Sequence, residues 1–143
     1  MKKAKLFLLA SMIFGTIICN AQTIEMDKGK VTCNGKEILN YKVDKWGTYQ
    51  VHFYSLDSNE IILVSDIDNE TPKYYEDDFT SIKFLLLGKK VETKVKKNKW
   101  KHYIVWFMEN KVMDAEGKIN EEKLDLFIKN YDEKITERTI KLK

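Results

Sequence analysis

The stretch TYQVHFYSLDSNEIILV, residues 48–64, decides the fold class. Tyr49, Val51 and Phe53 alternate with Gln50, His52 and Tyr54, the period of two that a half-buried strand requires. Leu56-Asp57-Ser58-Asn59 is rich in turn formers, and Glu60–Val64 resumes as a β-branched run. The same period extends outward on both sides. Upstream, KVTCNGKEILNY (residues 30–41) holds Asn34-Gly35 between two short extended runs. Asn-Gly supplies the positive φ angles of a tight hairpin turn. Downstream, TSIKFLLL (80–87) points Ile82, Phe84 and Leu86 inward, and Gly88-Lys89-Lys90 turns the chain into VETKVK (91–96). The spacing predicts an antiparallel β-sheet of about five or six strands over residues 30–96.

The period changes near residue 99. Trp100, Tyr103, Ile104, Phe107 and Met108 fall at helical spacing, with Asn98 as the expected cap and Gly117 where that helix would have just ended. Asn120 is placed to cap a second helix, with Glu121 and Glu122 in its first turn, where the helix dipole favours acids. Ile119 and Leu124 hold the two positions of a hydrophobic staple. Leu124, Phe127, Ile128 and Tyr131 then share one apolar face. The prediction is an α+β fold. A helical hairpin over residues 99–131 packs across the sheet face made by Tyr49, Val51, Phe53, Ile82 and Phe84. The alternating tail RTIKLK (138–143) is a candidate edge strand.

Residues 1–21 read as an address. Lys2, Lys3 and Lys5 precede an apolar run of 13 residues, Leu6–Ile18, and small residues close the segment at Cys19 and Ala21. A basic head, a short apolar centre and a small-residue exit make a secretory signal peptide, with cleavage expected after Ala21. The run includes Ser11, Gly15 and Thr16 and falls short of the about 20 residues of a membrane-spanning helix. Lipidation of Cys19 is disfavoured, because bulky Ile18 stands where a small residue belongs. The leader, ending Asn20-Ala21-Gln22, resembles those of Bacteroidota-type secreted proteins. Residues 22–143 are expected to form a single domain, secreted or periplasmic, with no transmembrane segment. The leader carries 3 of the 25 basic residues and no acid, so 22 basic face 22 acidic residues in the remainder. That balance gives no argument for nucleic acid as a partner. Cys33 is the one cysteine left, too few for an internal disulfide, and reads as a partly buried, inert thiol, with an intermolecular disulfide or a reactive thiol as the alternatives.

The densest group of chemically useful side chains is DIDNETPKYYEDDF, residues 66–79, with six acids and two adjacent tyrosines. Asp66, Asp68 and Glu70 alternate and Asp77 follows eleven residues after Asp66, the spacing skeleton of an EF-hand loop. Thr71 stands where glycine makes the sharp turn, however, and Asp77 replaces the long bidentate glutamate. The flanks read as strands. No metal or other cofactor is assigned, and Asp66, Asp68 and Glu70 are the carboxylates nearest to suiting a cation. A solvated loop bent at Thr71-Pro72 accounts for the stretch, and two tyrosines beside acids also suit a contact surface. MDAEGKIN (113–120) resembles a calcium loop as well. Its end positions would be Val112 and Lys123, which cannot ligate, so it reads as a turn.

The basic stretch from Lys89 to Lys101 holds seven lysines and Trp100 but no arginine, the usual choice for planar phosphate recognition. It is opposite in charge to the acidic region 57–78, which it can face either within the fold or between copies of it. The binding candidates are therefore Tyr74, Tyr75, Asp77 and Asp78 on one stretch and Lys96 and Lys97 on the other. Catalysis has little support. His52 and His102 are the only histidines, and no zinc spacing, nucleophile elbow, phosphate loop or dinucleotide glycine pattern occurs. The sequence points to an exported binding domain whose partner is a protein or an envelope glycan. A carboxylate-using glycan hydrolase and an inhibitor or structural docking protein are the alternatives.

Overall fold

The computed structural model describes residues 22–71 and 73–138. The leader, Pro72 and all of the tail beyond Arg138 lie outside the described residues. Seven antiparallel strands follow one another across a single sheet in chain order: β1 (Ile24–Asp27), β2 (Lys30–Cys33), β3 (Lys36–Asp44), β4 (Gln50–Tyr54), β5 (Glu60–Ile67), β6 (Phe79–Phe84) and β7 (Lys89–Thr93). Helices α1 (Trp100–Glu109) and α2 (Glu121–Tyr131) come next, then the short α3 (Ile135–Arg138). The α+β architecture is the one the periodicity predicts, with one strand more than expected. β1 precedes residue 30, and its turn is Lys28-Gly29, with φ of 47° and 79°. Asn34-Gly35 makes the same left-handed pair at 52° and 83°.

Directly opposed residues share a face, and the registers show which face is apolar. Val43, Val51, Val64, Ile82 and Val91 form one row across five strands. Tyr41, Phe53, Ile62 and Phe84 form the next. Phe107 of α1 meets Phe84 with ring centroids 5.5 Å apart and Phe127 of α2 at 5.8 Å, so one side chain ties the sheet to both helices. The other face carries Asp44, Gln50, Ser65, Ser81 and Glu92 in register.

Four local expectations are corrected. Leu86 is exposed, because β6 ends at Phe84 and the chain closes a 3₁₀ turn over Leu85–Leu87 with Gly88 at φ 61°. Tyr49 lies just before β4 rather than in the core, its ring tilted against that of Trp100 with centroids 4.9 Å apart. The residue flanking the start of α1 is Lys99, with no side-chain cap; its backbone carbonyl accepts from the His102 amide at 3.0 Å instead. Gly117 does not end α1. It sits in the turn whose ends, Met113 and Ile119, pair as a bridge. With φ +81° and a would-be Cβ 2.9 Å from the Ile38 carbonyl oxygen, glycine is required there by packing on β3. Asp114 holds that turn by accepting from the Glu116 and Lys118 amides at 3.0 and 2.9 Å. Asn120 caps α2 as predicted, accepting from the Lys123 amide at 3.0 Å.

The open edge of β7 is closed by residues 132–136. The Glu92 amide donates to Asp132 Oδ1 at 3.0 Å, and its carbonyl accepts from the Glu133 amide at 2.8 Å. The buried Glu92 carboxylate accepts from the Thr136 amide at 2.7 Å and the Thr136 hydroxyl at 2.6 Å. An edge strand covered in this way offers no row of free backbone groups to another chain.

Candidate functional site

In a meander, alternate connections fall at the same end of the sheet. The β3–β4 loop (45–49), the β5–β6 loop (68–78) and the link from β7 to α1 (94–99) therefore meet. Between them lies an open cleft of about 940 Å³. Its walls include Gly47, Thr48 and Tyr49 from the first loop. Asp68, Glu70, Tyr75, Glu76 and Asp78 come from the second, and Lys94 and Lys96 from the third. Asp66 at the end of β5 and Phe79 and Thr80 at the start of β6 form its floor side.

The acidic loop is shaped by its own polar groups. Asn69 and Glu70 both take left-handed backbone, at φ 52° and 63°. Asp68 supports them by accepting from the Glu70 amide at 3.1 Å. The Thr71 hydroxyl lies 2.8 Å from both oxygens of Asp77, and Asn69 donates to the same carboxylate at 3.4 Å. Asp66, on its strand, pairs with Lys96 at 3.2 Å. Asp66, Asp68 and Asp77, three of the carboxylates that share calcium-loop spacing, thus point at different partners. Among the described residues no group of three or more His, Cys, Asp or Glu side chains is arranged to hold a metal ion.

Three of the six binding candidates line the cleft: Tyr75, Asp78 and Lys96. Tyr74 turns aside to donate to Glu76 at 2.8 Å, and that bond is the main reason its phenol is raised above the ordinary tyrosine range. Asp77 is held by Thr71 and faces a smaller hollow shared with Thr136 and Arg138. The Lys97 ammonium sits 4.6 Å over the Trp106 ring, and its amide donates to the buried Tyr103 hydroxyl at 3.2 Å. The meeting of acidic and basic stretches, one of the two arrangements their charges allow, occurs within the fold through Lys96 on Asp66. It also occurs through Lys94, whose ammonium donates to the carbonyls of Glu76 and Asp78 at 2.6 and 2.8 Å. Sequence reasoning missed Lys94 and the β3–β4 loop. Trp46, 95% exposed beside Gly47, was the available signal.

Asp66 and Asp78 each keep one carboxylate oxygen shielded from solvent without a hydrogen-bond partner. Asn40 Oδ1 and Trp100 Nε1, outside the lining, are likewise shielded and unpaired, and groups left so are costly to stability.

Neither histidine reaches the cleft lining. His52 lies on the polar sheet face, between Asp44 Oδ2 at 3.0 Å and Glu60 Oε1 at 2.5 Å. Burial pushes the Asp44 carboxyl up, but Lys42 and His52 outweigh it and hold the pKa below the ordinary value. Cys33 is buried in the core, away from that face, and burial, reinforced by Glu116, raises its thiol pKa. Burial in apolar surroundings disfavours the thiolate, the reactive form of cysteine. No helix among the described residues is long and apolar enough to cross a membrane. No family model, curated protein or solved structure matches this chain.

Proposed function

We propose that this protein is an exported, non-catalytic binding domain of the cell envelope or the extracellular space, and that its ligand occupies the loop-end cleft. The observation that carries the reading is the company the cleft keeps. Tyr75 (77% exposed) and Tyr49 (45%) line it, exposed Trp46 directly precedes its Gly47 in the chain, and the walls carry carboxylates and lysines. Solvent-facing aromatics over convergent polar groups are the usual composition of a recognition site. The basic, apolar and small-residue segments of residues 1–21 support export. The partner classes this reading admits are a protein and an envelope glycan.

The test is retention of envelope fractions, protein and polysaccharide separately, on immobilised wild-type protein and on Tyr75→Ala. Retention by wild type that falls at least fivefold in the variant supports the cleft. Equal retention by both removes it. A second reading, a glycan hydrolase, is favoured by one feature: Asp66 and Asp78 line the same cleft and each holds a shielded, unpaired oxygen. Release of reducing ends from envelope polysaccharide by wild type, abolished in Asp66→Asn and Asp78→Asn, would establish it in place of the binding reading.

A further inference from the structure

The cleft wall presents five carboxylates, Asp66, Asp68, Glu70, Glu76 and Asp78, against the two ammonium groups of Lys94 and Lys96. Both ammonium groups are already engaged, Lys94 by two backbone carbonyls and Lys96 by Asp66. An excess of three negative charges therefore lines a concave space, where low-dielectric walls concentrate the field. Residues 22–143 as a whole carry 22 basic and 22 acidic residues, so the negative excess belongs to the cleft lining and is offset by basic residues outside it, Lys45, Lys73, Lys97 and Lys99 on the same loops among them. The chain's own lysines display the chemistry the cleft accepts: an ammonium donating to clustered oxygens. Tyr49, Tyr75 and Phe79 supply ring surface beside those oxygens. Ring faces attract cations and also cover methylene stems.

Resting on the reading that the cleft is the binding site, we infer that its ligand is a lysine- or arginine-bearing peptide segment of a partner protein. Such a side chain joins an apolar stem to a terminal cation, matching rings at the mouth and acids along the wall. A neutral glycan leaves the three negative charges uncompensated. An amino sugar carries its ammonium directly on a hydroxylated ring and has no stem to lie along the tyrosines. The volume, about 940 Å³, is at the upper end of the roughly 300–1,000 Å³ of small-ligand sites, room for more than one side chain.

The experiment titrates residues 22–143 calorimetrically with a trilysine peptide, a triarginine peptide, triglutamate, chitotriose and its deacetylated trimer, at low and at physiological salt. The two basic peptides are expected to bind at least tenfold more tightly than the other three, and less tightly as salt rises. Glu70→Gln/Glu76→Gln is expected to weaken them about threefold to tenfold, as loss of two exposed charge pairs implies. Tyr75→Ala is expected to weaken them as well. Thermal melts matching wild type show that both variants fold. Binding of basic peptides that ignores all of these substitutions overturns the inference. Tyr75-dependent binding of a sugar or of triglutamate overturns it too, but leaves the cleft standing as the binding site. If no probe binds and Tyr75→Ala retains envelope fractions as wild type does, the cleft reading falls together with it.

Discussion

Trp106, Phe107, Phe127 and Tyr131 in the helical hairpin and Trp46, Tyr49, Tyr74 and Tyr75 at the loop end are two aromatic groups of equal number in opposite surroundings. In the hairpin the rings touch one another: Trp106 meets Phe127 at 4.7 Å and Tyr131 at 4.8 Å, and Phe107 joins them to the sheet. At the loop end Trp46, Tyr74 and Tyr75 face water, and Tyr49, half exposed, touches only Trp100 among the rings. Burial of apolar surface stabilises the fold at about 25 cal/mol per Å². A ring left in water makes no such contribution until a partner covers it. The hairpin aromatics therefore hold the molecule together, and the loop aromatics are available for recognition.

The largest test of that contrast truncates the core. Phe107→Ala and Phe127→Ala are each expected to destabilise the fold by about 3–5 kcal/mol, read as a sharp fall in the urea midpoint. Domains of this kind are held by only about 5–15 kcal/mol in total, so either variant comes close to unfolding. A loss below about 1 kcal/mol would mean that the helices do not seal the core.

Of intermediate size is the buried carboxylate of Glu92. Burial alone raises its pKa, but the two hydrogen bonds from Thr136 and the ammonium of Lys90 outweigh this and hold it below the ordinary glutamate value. A carboxylate with a lowered folded pKa stabilises the fold above its unfolded pKa, about 4.3. That contribution is lost as the pH falls through the folded pKa. Glu92→Gln is therefore expected to cost about 1.5–3 kcal/mol at pH 7, the range for hydrogen bonds to charged groups. Unfolding curves of wild type and variant should converge as the pH drops below about 4. A gap that stays constant with pH would assign the effect to packing.

Smallest is the loop end itself. Tyr74→Ala and Tyr75→Ala are expected to move stability by no more than about 0.5 kcal/mol, as for surface positions outside the core. If instead they match Phe107→Ala, the loop aromatics are structural and the contrast collapses.

The sequence by itself determined the elements. Alternation at Tyr49–Tyr54 and Ile82–Phe84, the Asn34-Gly35 turn, and helical spacing from Trp100 to Tyr131 are local signals, legible because backbone geometry repeats at two or 3.6 residues. It also showed the acidic and basic stretches to be opposite in charge, without deciding whether they meet within one copy or between two. β1 escaped because four residues, Ile24–Asp27, are too few to establish a period. Leu86 escaped because an apolar residue in a tight turn looks like one in a strand. Tertiary structure alone decided which charges meet. Lys96 reaches the cleft and Lys97, its neighbour, lies over Trp106, because adjacent residues in the link from β7 to α1 face opposite ways. The third wall, the β3–β4 loop, joins the site only because a meander brings alternate turns to one end. Residues 47–49 and 94–96 are far apart along the chain, and no local pattern records that they share a cleft.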